Sequence, residues 1–140
     1  MNILLDKKIV AQIIEKYYKE QLDFEGTAEI TVEKEFGSYG YTDVEEAMIN
    51  IKLKGNMMLL GQKIKTVITI STEEMKEAIK YCIEEEGYTF KGCTIEKGLN
   101  EKCIGYGPGE HTEKIPYFNG VNVNVDIKNK IKEIKKNENK

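Results

Sequence analysis

The stretch "TAEITVEKEF", Thr27 to Phe36, decides the fold, because the hydrophobic period changes there from helical to extended. Ala28, Ile30, Val32 and Phe36 fall on one side of a strand, and Thr27, Glu29, Thr31 and Glu33 on the other. A period of two is the mark of a sheet strand with one buried and one wet face. Just upstream, Ile9, Val10, Ile13, Ile14, Tyr17 and Tyr18 recur at i, i+1, i+4, i+5, i+8 and i+9. That spacing lays one broad apolar face along a helix over about residues 6–21, with Asp6 as its N-cap. Gly26 separates the two regimes.

Downstream, the alternation repeats twice. In "VEEAMINIKLKG", Ala47, Ile49, Ile51 and Leu53 point inward and Met48, Asn50, Lys52 and Lys54 outward. In "KIKTVITI", Ile64, Thr66, Ile68 and Ile70 oppose Lys63, Lys65, Val67 and Thr69. The turn regions "GSYGY" and "GNMMLLGQ" join these strands into an antiparallel meander. The second turn has an apolar tip, Met57 to Leu60. Exposed, it is an adhesive patch for a partner or a second copy; folded over the helix ends, it is core.

"STEEMKEAIKYCIEEEG" predicts a second helix. Ser71 and Glu74 form a capping box, Met75, Ala78, Ile79, Cys82 and Ile83 form the buried stripe, and Gly87 suits the position after the last turn. "YTFKGCTIEKG" reads as a fourth strand. "PYFNGVNVNVDI" reads as a fifth, with a break at Asn119–Gly120 that suits a bulge. The expected architecture is α+β, in the order α-β-β-β-α-β-β. One mostly antiparallel sheet carries two helices packed on one face, as a single domain over residues 1–126. Residues 127–140 form a basic C-terminal tail, read as a short helix or a frayed end.

At 140 residues, 40% apolar and 32% charged, the composition is that of an ordinary globular domain. No run approaches the apolar length of a membrane-spanning helix, and no basic region precedes the short apolar run near Met1. The expected location is therefore the cytoplasm, without membrane association. All 21 basic residues are lysine, so no rigid guanidinium fork is available for phosphate or guanine, and there is no Trp to stack on a base. The last fourteen residues carry a net charge of +4 and the first 126 a net charge of −7. An acidic body is a poor nucleic-acid binder and a plausible partner for a basic protein surface.

Chemistry-bearing residues are few. Cys82, Cys93 and Cys103 form no metal-binding pair, and His111 is the only histidine, so neither a metal nor a cofactor is expected. Cys82 and Cys93 occupy apolar positions. Cys103 with His111 is a remote hydrolase possibility, and the chain reads as a non-enzyme. The segment "LNEKCIGYGPGEHTEKIP" has weak periodicity and reads as a long loop shaped by Gly105, Gly107 and Gly109. No helix follows these glycines to cradle a phosphate. The loop offers Tyr106, His111, Lys114 and the neighbouring Tyr117 as contacts, and Met57 and Met58 are further candidate binding residues.

In size, acidity and lack of catalytic groups, the chain resembles small accessory proteins of phages and mobile elements, including anti-CRISPR and other anti-defence inhibitors. No motif carries this resemblance, so it transfers no residue roles. It implies a stoichiometric inhibitor or modulator of a host protein. A homodimer, through the apolar tip at Met57–Leu60, is a separate possibility. The alternative is a small-ligand or nucleotide-binding protein using the Gly-rich segment 98–114.

Overall fold

A computed structural model of the chain describes residues 1–33, 48–104 and 111–127, with the backbone alone at 33, 100–104 and 111–115. The described residues comprise β1 (Asn2–Leu5), α1 (Lys7–Leu22), β2 (Glu25–Glu33), β3 (Met48–Leu59), β4 (Gln62–Ile70), α2 (Thr72–Glu85), β5 (Thr89–Ile104) and β6 (His111–Asp126). This is the expected α+β order with one strand added at the front.

The helices form where their signals lie. Asp6 adopts an extended conformation, and its Oδ1 accepts a hydrogen bond from the Ile9 backbone N–H at 2.8 Å. Val10, Ile14 and Tyr18, four residues apart, make the buried stripe of α1. The helix ends at Asp23, whose N–H donates to the Lys19 carbonyl and whose φ of 53° turns the chain so that the Phe24 N–H returns to the Tyr18 carbonyl. In α2 the capping box is complete. Glu74 N–H donates to Ser71 Oγ and Ser71 N–H to Glu74 Oε1, both at 3.1 Å. Met75, Ala78, Ile79, Cys82 and Ile83 are its buried residues, as their spacing predicts.

Among the described residues all strand pairings are antiparallel, but they build two three-stranded sheets, β1-β6-β5 and β2-β3-β4, rather than one. β2 and β6 lie beside each other without a hydrogen-bonded ladder. The unanticipated strand, β1, pairs Asn2 with Asn124 and Leu5 with Val121. Four residues carry too little alternation to announce a strand, and the partner lies at the far end of the chain. α1 touches β1, β2, β6 and α2, while α2 touches β5, so the helices share one core with both sheets. Val10, Ile14, Phe24, Ile30, Ile51, Leu53, Met75, Ile79, Val121 and Val123 are its largest fully buried side chains. Each contributes on the order of 2 kcal/mol by leaving water.

Phe36, Ala47 and the expected turn at residues 37–41 lie outside the described residues, as does the tail beyond Ile127. The bulge expected near Asn119–Gly120 is present. Glu96 pairs with Gly120 and Lys97 with Phe118, leaving Asn119 unmatched. The main correction concerns residues 98–114. The strand ladder runs through Ile104 opposite His111, so most of the expected loop is paired β-structure.

Glu74 also accepts a hydrogen bond from the Tyr18 hydroxyl through Oε2, at 3.2 Å, tying α1 to α2. The Ser71 backbone and hydroxyl, then Tyr18, hold the Glu74 carboxyl below its ordinary range. A lowered native pKa contributes stability above the unfolded value, and that contribution disappears as pH falls through the native one. Burial, then Glu74, pushes Tyr18 up to about 12, so its contribution disappears as pH rises from 10 towards that value. Glu74→Gln keeps the cap's hydrogen-bonding shape and removes the titration. Its urea midpoint is expected to fall less steeply than wild type between pH 5 and 3. Equal slopes would remove Glu74 from the acid response.

Candidate functional site

The surface that stands out is the β3–β4 hairpin. Its turn consists of Leu60 and Gly61, closing on the pair Leu59 and Gln62. Both turn residues have positive φ, 51° and 74°, the geometry of the tight turn that matches strand twist. Gly61 adopts it freely; Leu60 does so against the preference of a side chain bearing a Cβ. Nothing among the described residues covers this leucine, which is 94% exposed.

The register explains the rest of the patch. β3 residues of odd number and β4 residues of even number share the face that meets the core. Near the helices that face holds Ile51, Leu53 and Ile70, all buried. Towards the turn the same row continues as Met57, Leu59 and Ile64, which are 39%, 51% and 38% exposed. β2 begins opposite Asn56, so residues 57–64 extend past it as a two-stranded ribbon. The core-facing row thus outruns its cover. Met58, 48% exposed, lies on the opposite face.

That opposite face is basic. Lys52 and Lys54 on β3 and Lys63 and Lys65 on β4 are all exposed. β2 supplies acid on the far side: Glu29 meets Lys54 at 3.0 Å, and Glu25 meets Lys19 at 3.0 Å. Lys19 also binds Asp23 at 2.8 Å; the hydrogen bonds from Lys19 lower both carboxyl pKa values, while those to Asp23 and Glu25 raise its own. A shallow groove of about 190 Å³ at the hairpin base is lined by Lys19, Asp23, Glu25, Asn56, Met58 and Lys63.

Met57 and Met58 are therefore both exposed, on opposite faces of the hairpin, rather than folded into the core. Tyr117, 38% exposed, lies on β6 opposite Gly98, where a Cβ would strike its ring. The other candidates belong to the β5–β6 ribbon. Tyr106, Gly105, Gly107 and Gly109 lie outside the described residues. His111 pairs with Ile104, and Lys114 with Glu101. Strand alternation puts position 114 on the other face from 111 and 117. Cys103 pairs with Thr112, so positions 103 and 111 also belong to opposite faces.

Burial raises the pKa of the Cys82 and Cys93 thiols, which suits the packing role their positions suggest. Among the described residues no group of three His, Cys, Asp or Glu side chains gathers to hold a metal ion. No helix among them is long and apolar enough to cross a membrane. No protein-family model matches the chain, and no curated protein or solved structure does either.

Proposed function

We propose that this protein acts by stoichiometric binding of another protein, with the β3–β4 hairpin as its contact surface. The observation that carries this reading is Leu60. An apolar side chain is held in a conformation that disfavours it, at a turn where Asn or Gly is preferred, and is almost wholly in water. Met57, Met58, Leu59 and Ile64 surround it with further exposed apolar area. The proposed activity is inhibition or modulation of a host protein, in the manner of the phage and mobile-element accessory proteins that the chain resembles in size and acidity.

Leu60→Asn tests this reading with two readouts. The substitution relieves the turn, and the melting temperature is expected to rise, by about 1 kcal/mol in stability. Retention of a one-to-one partner on the tagged protein is expected to fall at least about tenfold, as for loss of a central apolar contact. A variant that is stabilised and still holds its partner at wild-type level would remove the hairpin from the interface.

A further inference from the structure

Resting on the hairpin as contact surface, we infer that the open edge of β4 receives an extended strand of the partner, one that alternates acidic and apolar residues. Among the described residues β4 pairs with β3 alone. A two-residue turn closes on a hydrogen-bonded pair, here Leu59 with Gln62, and bonded and open pairs alternate from it. The even-numbered residues of β4 thus bond to β3. The backbone N–H and C=O groups of Lys63, Lys65, Val67 and Thr69 point to the open side, ready for strand addition.

The two rows of β4 specify the added strand. One face presents Ile64, Thr66 and Ile68 in line with Met57, and the other presents Lys63, Lys65 and Val67. The fold already contains a strand of the matching kind on the far flank of the same sheet. β2 sets Glu25 and Glu29 on the basic face of β3 and Ala28 and Ile30 on its apolar face, and Glu29 pairs with Lys54. From β2 to β4 the exposed face runs acid, base, base. Lys65 has no acidic partner among the described residues. An acidic–apolar strand beyond β4 completes that order.

A second copy of β4 fits less well. In the two-fold pairing centred on Thr66, Lys65 of each copy meets the other diagonally, and centred on Lys65 the two lysines face each other directly. Like charges so placed oppose pairing, which is how edge lysines discourage self-association.

The probe is the peptide acetyl-EGTAEITVE-amide, which copies the β2 sequence; acetyl-KGTAKITVK-amide is its charge-swapped control. Hydrogen exchange followed by NMR on the intact protein reads each amide separately. With the acidic peptide, exchange at Lys63, Lys65, Val67 and Thr69 is expected to slow at least about tenfold, with no slowing from the control. In the double variant Lys63→Glu and Lys65→Glu the preference is expected to reverse. Failure of the acidic peptide to slow these amides would overturn the inference. So would slowing that follows protein concentration without peptide, because β4 would then be pairing with itself. Partner retention lost in Leu60→Asn but kept at wild-type level in the double lysine variant would also overturn it, while leaving the hairpin surface standing.

Discussion

Phe24→Ala is expected to destabilise the protein by about 3–5 kcal/mol, the range for removing a fully buried aromatic ring. Phe24 is 2% exposed and sits between the end of α1 and the start of β2. Its N–H returns to the Tyr18 carbonyl at 3.3 Å, so the residue that seals the helix end also fills the core. The ring lies against Gly26, where an added Cβ would collide with it, and close to Leu53 across the β2–β3 pair. Alanine leaves a cavity that the surrounding strands close only in part, because β2 is held to β3 by a nine-residue register. Chemical denaturation is the measurement. A loss below about 1 kcal/mol would mean that the helix–sheet junction repacks freely.

The second large effect is expected at Gly120. Gly120→Val should cost about 3 kcal/mol or more, combining a disfavoured backbone conformation with a steric clash. Its φ is 131°, and a Cβ at this position would strike the Leu5 carbonyl oxygen and approach the Asp6 Cα. Leu5 ends β1 and Asp6 caps α1, so the substitution pushes on the strand pairing and the helix start together. Hydrogen exchange distinguishes this from a diffuse loss. The amide of Val125, bonded to the Met1 carbonyl at 2.8 Å, should lose protection along with the α1 N-terminus. Unchanged protection at both would show that β1 moves aside without cost.

Much of this fold was legible before any coordinate. The buried stripes of both helices, both N-caps, the inward rows Ile49–Ile51–Leu53 and Ile68–Ile70 and the bulge at Asn119 follow from local spacing. Two elements did not. β1 is four residues long, and its pairing spans most of the chain. The ribbon at residues 97–104 and 111–118 lies beyond the β1–β6 pairs, which cover only 121–124. Its sequence shows only weak alternation, so the pairing of residues 97–104 with 111–118 is not marked there.

The candidate surface divides in the same way. Lysines at 52, 54, 63 and 65 were readable as one exposed row, since alternation alone fixes their face. Whether Met57, Leu59 and Ile64 were core or surface was not, because their period is the same as that of Ile51, Leu53 and Ile68. By itself the sequence determined the α+β order, the helix stripes and the alternation of each strand, all set by interactions within a few residues. Tertiary structure alone decided that the strands divide into two sheets, that β1 completes one of them, and that the apolar row of β3–β4 runs past its cover. Those outcomes depend on which distant surfaces meet and where one element ends relative to another. A periodic pattern records the direction of each side chain but not how far its covering layer extends.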